Sequence, residues 1–186
     1  MSETPVKILD NFLSHEHCQE LINRYKDKVT RSIVVDISTR VHKTDSSRTS
    51  STYYIPDSDQ IIRGLKEKVA SFLEIDTNQI EGIQFLRYLY GEKYIYHHDY
   101  LPGNPLNQRI HTIIVYLNDL LDGEGGETSF FHYKLKVKPK EGTAVWFRNM
   151  ADDGSLIQKS LHSGEPILKK DTVKYALNIW TKQYKI

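Results

Sequence analysis

The sequence predicts an α+β domain, mainly β, in which N-terminal helices buttress a sandwich or barrel. Three observations carry this. Two helical patterns occupy the first half of the 186 residues. Short strand-like runs fill most of the second half, and turn signals separate them at close spacing. A chain of this length buries one sizeable core. A single domain over 1–186 is therefore expected, with helical and loop support over about 1–80 and a β core over about 81–183.

Ser14 is placed to cap a first helix whose apolar residues Cys18, Leu21, Ile22, Tyr25 and Val29 keep a helical period. A strand-like run covers 32–37. Residues 38–52 are polar, hold Arg40, His42, Lys43 and Arg48 among many Ser and Thr, and read as a mobile loop whose arginines are solvated or belong to a lid. Pro56 with Asp57 or Ser58 opens a second helix, with Ile61, Ile62, Leu65, Val69, Phe72 and Leu73 on one stripe. Strands are expected over 82–90, 94–99, 109–117, 127–131, 135–138, 143–148, 161–166 and 173–181. Gly91-Glu92, Pro102-Gly103-Asn104-Pro105, Gly123-Glu124-Gly125-Gly126, Glu141-Gly142 and Asp152-Asp153-Gly154 separate them.

The net charge of +1 creates no field that draws nucleic acid or an anionic membrane. Lys134, Lys136, Lys138 and Lys140 alternate, and read as a solvated strand face. Cys18 is the sole cysteine, so no intrachain disulfide can form, and its place on the first helix's stripe marks it as a core residue. No run reads as a signal peptide or a bilayer span. The expectation is a cytoplasmic monomer or homodimer without nucleic-acid or membrane partners.

His97-His98-Asp99, followed by His162 and Lys174, carries the chemistry. Two histidines and a carboxylate form the facial triad that holds non-haem Fe(II) with open positions. On an extended segment His97 and Asp99 project to one face, while His98 turns away and reads as structural or solvent-facing. His162 would close the triad from a distant strand, and Lys174 offers a fixed cation suited to a dicarboxylate cosubstrate. On the last strand Lys174, Ala176, Asn178 and Trp180 share one face, and Val173, Tyr175, Leu177 and Ile179 the other. His111 is expected to share a face with Arg109 as a hydrogen-bonded sheet histidine. His15, His17 and His132 read as surface residues, Trp146 and Trp180 as core.

The segment Tyr88-Leu-Tyr-Gly-Glu-Lys-Tyr-Ile-Tyr-His-His-Asp99 resembles the metal-binding segment of the prolyl 4-hydroxylase family, which are Fe(II)- and 2-oxoglutarate-dependent oxygenases. The resemblance continues at Gln108-Arg109, Tyr116-Leu117-Asn118-Asp119, Gly125-Gly126-Glu127-Thr128-Ser129-Phe130, the run 137–149, His162-Ser-Gly-Glu-Pro166 and Lys174-Tyr175-Ala176-Leu177, covering about 83–182. It is looser at Arg48-Thr49-Ser50. It implies that His97, Asp99 and His162 bind iron. Lys174 would pair with the distal carboxylate of 2-oxoglutarate, supported by Tyr88, with Thr128 lining that pocket. Arg109 would contact a peptide substrate beside the metal.

The cofactor set implied is Fe(II), 2-oxoglutarate as cosubstrate, O2, and ascorbate as reductant. The keto acid would chelate the metal through its 2-oxo and C1 carboxylate oxygens, so its far carboxylate must be paired inside the pocket. The reaction implied is hydroxylation of peptidyl proline at C4, procollagen-proline 4-dioxygenase-like, releasing succinate and CO2. The fold implied is a double-stranded β-helix, or jelly-roll, with the N-terminal helices on one face and loops 38–52, 100–109 and 149–160 around the open end.

Two departures stand out. Twelve positions separate His162 from Lys174, more than the family's usual spacing, and the surplus falls in Lys169-Lys170-Asp171-Thr172, an enlarged hairpin. Lys169 or Lys170 is then an alternative cation. His98 stands where the family has an aromatic residue. The chain lacks the secretory features and cysteines of the collagen-modifying animal members, so the analogy is with stand-alone domains of bacterial, viral or algal type. Two other readings remain: the same chemistry on a free amino acid, a lysyl side chain or a small metabolite, and a non-enzymatic jelly-roll binding module.

Overall fold

The computed structural model describes residues 6–35, 42–101, 103 and 106–186. Each expected strand of the second half forms, with ends shifted by one or two residues: β6 (Gln84–Tyr88), β7 (Tyr94–His97), β8 (Arg109–Tyr116), β9 (Thr128–Phe130), β10 (Leu135–Val137), β11 (Ala144–Arg148), β12 (His162–Gly164) and β13 (Lys174–Lys182). Before them come β1 (Lys7–Leu9), α1 (His15–Tyr25), β2 (Thr30–Arg31), β3 (Val34–Val35), β4 (His42–Lys43), β5 (Ser51–Tyr54) and α2 (Gln60–Leu73).

Two antiparallel sheets result. The larger has seven strands in the order β1-β11-β8-β13-β6-β5-β2, and the smaller has four in the order β10-β9-β12-β7. β3 and β4 pair separately. Alternation along the central strands divides the large sheet into two apolar faces. Phe85, Ile113, Val115, Trp146, Leu177 and Ile179 pack against the helices, while Leu86, Ile114, Tyr116, Val145, Phe147 and Ala176 face the small sheet. This is the jelly-roll expected, with its helices on one face.

The helices form for the reasons the sequence offers. Ser14 accepts a hydrogen bond from the His17 amide at 3.2 Å, and Cys18, Leu21, Ile22 and Tyr25 form the buried stripe of α1. The start of α2 differs from expectation. Its cap is Asp59, which accepts from the amides of Ile61 and Ile62 at 2.9 and 3.2 Å, while Pro56 closes a turn by accepting from the Asp59 amide. Asp59 wins because Tyr25 and Arg24 of α1 also donate to it, at 2.6 and 2.8 Å. The cap thereby joins the two helices. Phe72 sits at the rim of the stripe and not within it, edge-on to Phe12 and Trp146.

The polar stretch 38–52 is corrected over its second half. Ser51–Tyr54 is an inner strand between β2 and β6, and the Arg48 backbone bridges Tyr94. Arg48 is only 7 % exposed. Neither solvation nor a mobile lid describes that residue. Arg40 lies outside the described residues, as do Pro102, Asn104 and Pro105. Lys138 and Lys140 of the basic alternation are exposed and pair with Asp122 and Asp10.

Candidate metal and cosubstrate site

β7 and β12 are neighbours, and their pairing sets His97 directly opposite His162. Asp99 follows two residues after His97 and comes back to the same point. One donor atom from each of His97, Asp99 and His162 falls within 4.8 Å of the others, and this is the one such His/Cys/Asp/Glu group among the described residues. His97 Nε2 lies 3.6 Å from Asp99 Oδ1, and His162 Nε2 lies 3.6 Å from Asp99 Oδ2. These gaps exceed hydrogen-bond length and suit ligands that share a centre.

The ring nitrogens are already sorted. His97 Nδ1 is 2.8 Å from the Ile95 carbonyl and His162 Nδ1 is 2.9 Å from the Ser160 carbonyl. A carbonyl only accepts, so Nδ1 carries the proton and Nε2 is left with its lone pair. Tyr94 stacks on the His97 ring at 3.5 Å between centroids. Burial, with His97 adding to it, lowers His162 to about 4, so its imidazole is neutral and ready to ligate. Burial alone would raise Asp99, but His162 and His97 hold its carboxyl well below the ordinary range. Two imidazole Nε2 atoms and one carboxylate, turned toward one point, fit Fe(II).

Lys174 opens β13 opposite Tyr88, the last residue of β6. Its side chain is 4 % exposed, and Nζ donates to the Gly126 carbonyl at 2.6 Å. Nζ also lies 5.2 Å from the Tyr88 ring and 5.4 Å from the Tyr116 ring. Burial lowers it to about 8, opposed by Glu127 and Glu165. It is a desolvated ammonium with no carboxylate bonded to it among the described residues, which is what a cosubstrate carboxylate would pair with.

Lys174, Ala176 and Asn178, on the inner face of β13, line one cleft with Tyr88, Thr128, His97 and His162. The cleft holds about 350 Å³ of space, part of it open to solvent. Thr128 is buried and its Oγ1 accepts from Tyr116 at 2.7 Å. Gly126 takes a positive φ of 76°, and a Cβ there would meet Leu120 at 2.6 Å and Ile167 at 2.7 Å. Glycine thus lets the chain close under the Lys174 ammonium. Lys169, the alternative cation, is at the surface, bonded to Glu124 at 3.0 Å. Lys170 is exposed.

Arg109 is not among the residues that line this cleft. Its guanidinium stacks on Trp180 at 3.7 Å and bonds Glu81 through Nε and Nη2 at 2.7 and 2.8 Å. His111 does not share its face. Two residues of β8, Arg109 and His111, oppose the adjacent Lys182 and Thr181 of β13, so a bulge at Ile110 reverses the alternation. His111 therefore lies over Trp146 on the helix side. Its Nδ1 is buried without a partner, and burial lowers the ring to about 4. A satisfied sheet histidine was the expectation, and this ring is unsatisfied at one nitrogen. His98 is half-buried, 3.2 Å from the Ser160 hydroxyl. Cys18, Trp146 and Trp180 are core residues as expected, and burial pushes the Cys18 thiol up to about 12.

Sequence reasoning did not single out Thr112, Asn149, Tyr94 or Gln84. Thr112 donates to Asp99, Asn149 donates to Thr112, and Gln84 accepts from the buried Arg48 at 3.2 Å. Inner-face positions on strands flanking the metal ligands were the available signal for Thr112 and Gln84.

Comparison with known proteins agrees with this geometry. Residues 83–182 match the family model described as the 2OG-Fe(II) oxygenase superfamily. The chain is 35 % identical to Prolyl 4-hydroxylase 5 of Arabidopsis thaliana over 87 % of its own length, and spans 63 % of that relative. It is 34 % identical to Probable prolyl 4-hydroxylase 3 of the same plant, over 96 % of this chain and 70 % of the relative. Among solved structures, the viral collagen prolyl hydroxylase of Paramecium Bursaria Chlorella virus-1, as its 2OG complex, superposes with a TM-score of 0.78 at 29 % identity, over 97 % of each chain.

Proposed function

The chain belongs to the 2OG-Fe(II) oxygenase superfamily, among the prolyl 4-hydroxylases, and from that premise we propose that it hydroxylates C4 of a proline held within a peptide. The observation that carries the proposal is one cleft lined by His97, His162 and the buried Lys174, with Asp99 grouped against the two histidines. When bound, Fe(II) and 2-oxoglutarate supply the O2 chemistry that inserts one oxygen into a C–H bond and releases succinate and CO2. His97, Asp99 and His162 would hold the metal, and Lys174, Tyr88 and Thr128 the far end of the cosubstrate.

The protein's own work is binding, orientation and exclusion of water. Lys174 pairs a carboxylate in a desolvated pocket, where a charge-assisted bond is strong. The backbone acceptors at Ile95 and Ser160 keep both imidazoles turned toward the centre. Arg109 holds its place through Glu81 and Trp180, which leaves Nη1 to donate to a carbonyl beside a bound proline. A polyproline II peptide suits such a donor, because its backbone is extended and makes no internal hydrogen bonds.

The test is incubation with Fe(II), 2-oxoglutarate, ascorbate and a panel of proline-rich peptides, followed by tandem mass spectrometry. A one-oxygen gain placed on proline is expected. Oxygen on lysine, or rapid turnover of free proline with none on peptides, would reject the substrate and leave the oxygenase chemistry. No cosubstrate turnover under any condition would favour a binding module.

A further inference from the structure

Asp99 lies beyond the end of β7, so strand pairing does not fix its carboxylate as it fixes His97 opposite His162. A different layer does. Thr112 Oγ1, on β8 of the large sheet, donates to Asp99 Oδ2 at 2.8 Å. Asn149 Nδ2, just past the end of β11, donates to Thr112 Oγ1 at 2.8 Å. The direction of this chain is forced. An ionised carboxylate only accepts, so the threonine proton points to Asp99, and Thr112 Oγ1 must accept from the amide side. That requirement turns the NH2 of Asn149 toward it.

The consequence is visible at the opposite end of the amide. Asn149 Oδ1 is buried and has no hydrogen-bond partner among the described residues. Turning the amide over would leave Thr112 facing an acceptor with no proton to share. A buried carbonyl oxygen is therefore left unpaired while the donor to Thr112 is kept, a costly choice for a residue with no other task. Asn149 is also clamped by its backbone: its N–H donates to Ile110 at 2.7 Å, and its carbonyl accepts from Ile157 at 2.9 Å. Thr112 and Asn149 are fully buried and Asp99 nearly so. With Oδ2 held by Thr112, the rotation of the carboxylate plane is set, and with it the angle at which the oxygens meet His97 Nε2 and His162 Nε2.

We propose that Thr112 and Asn149 are positioning residues of the metal centre, a hydrogen-bond chain that fixes the rotation of Asp99 in advance of ligation. The proposal rests on the metal centre and not on the substrate, so failure of peptide hydroxylation would leave it untouched. Neither residue need contact metal, cosubstrate or peptide. Groups that orient a ligand in this way commonly change metal affinity about tenfold to a hundredfold when removed.

Mn(II) alone, titrated calorimetrically into metal-free protein, tests it without reference to turnover. Thermal melts of the metal-free variants run in parallel. Thr112→Val preserves shape and deletes the hydroxyl, and is expected to weaken Mn(II) binding by about tenfold to a hundredfold. Thr112→Ser restores the donor and should recover most of that loss. Asn149→Ala removes the outer donor and should weaken binding in the same direction, by less. A purely structural role predicts lower melting temperatures with Mn(II) affinity unchanged, and that result would overturn the proposal. So would Thr112→Ser binding as weakly as Thr112→Val. Should Thr112→Val fail to fold, the pair Thr112→Ser and Asn149→Ala decides: near-normal binding by the first and weaker binding by the second support the chain of bonds, and normal binding by both rejects it.

Discussion

On β13, Leu177 and Ile179 point to the helices while Lys174, Ala176 and Asn178 line the cleft, and β8 repeats the division with Ile113 and Val115 set against Thr112, Ile114 and Tyr116. The strands are the same and adjacent residues differ only in the face they take. The helix side is apolar nearly throughout and closes on Cys18, Leu21, Ile62, Leu65 and Val69. The cleft side is also buried, yet it carries a lysine, a threonine and, from the small sheet, two histidines. Burial is thus common to both faces. The difference is that the cleft face holds buried polar groups on named partners: Lys174 has Gly126, Thr112 has Asp99 and Asn149, and Thr128 has Tyr116. One face supplies stability, and the other places desolvated groups at the cost of some stability.

Substitutions on the two faces should therefore separate activity from stability. The largest effect is expected at the metal ligands. His97→Ala, Asp99→Ala or His162→Ala should each abolish oxidation, because two protein ligands hold iron poorly. The metal-free proteins should melt near the parent temperature. His98→Ala should keep much of the activity, and an inactive His98→Ala beside an active His97→Ala would show the wrong histidine assigned.

On the helix side, Leu177→Ala should cost about 2–5 kcal/mol of stability, read from the denaturant midpoint, with little change in the KM for 2-oxoglutarate in the folded fraction. Three positions earlier on the same strand, Lys174→Ala should do the reverse. Cosubstrate binding should weaken by about 1.5–3 kcal/mol, roughly tenfold to a hundredfold, while metal-free stability is held or improved, since a desolvated ammonium is removed. A stability loss at Lys174 matching that at Leu177 would erase the contrast between the faces.

The pH dependence gives the same contrast within one residue. Burial lowers Lys174 from 10.5 to about 8. The cation needed for 2-oxoglutarate is therefore complete well below pH 8 and lost above it, so the KM for 2-oxoglutarate should rise as pH passes 8. Stability runs the other way. Between pH 8 and 10.5 the unfolded chain holds more of this proton than the fold does, so the Lys174 contribution to stability improves as pH rises through that window. A KM that stays flat through this range in the native protein would argue that another cation binds the cosubstrate.

Smaller effects are expected outside the cleft lining. Arg109→Ala should lower peptide turnover about tenfold, the worth of a charge-assisted hydrogen bond, and leave slow peptide-independent decarboxylation of 2-oxoglutarate largely intact. Glu81 keeps Lys182 at 3.3 Å, which limits the loss of stability. Lys169→Ala should be near neutral for cosubstrate binding, because its ammonium is exposed on Glu124.

Local pattern determined much of this protein. Period-two alternation placed Lys174, Ala176 and Asn178 on one face of β13, turn residues delimited the strands from β6 onward, and the step from His97 to Asp99 put two ligands on one side of a chain segment. Those properties depend on neighbours in sequence, so they survive without a structure. Other features needed the tertiary structure because their causes are distant in sequence. The start of α2 moved to Asp59 because Tyr25 and Arg24 reach it from α1. Arg48 left solvent because β5 was drawn into the large sheet and brought it beside Gln84 and Tyr94. His111 parted from Arg109 because register with β13 forced a bulge that no local propensity encodes. The orientation of Asp99 was set by Thr112 and Asn149, residues 13 and 50 positions further along the chain, whose only link to it is a hydrogen bond made after the strands have packed.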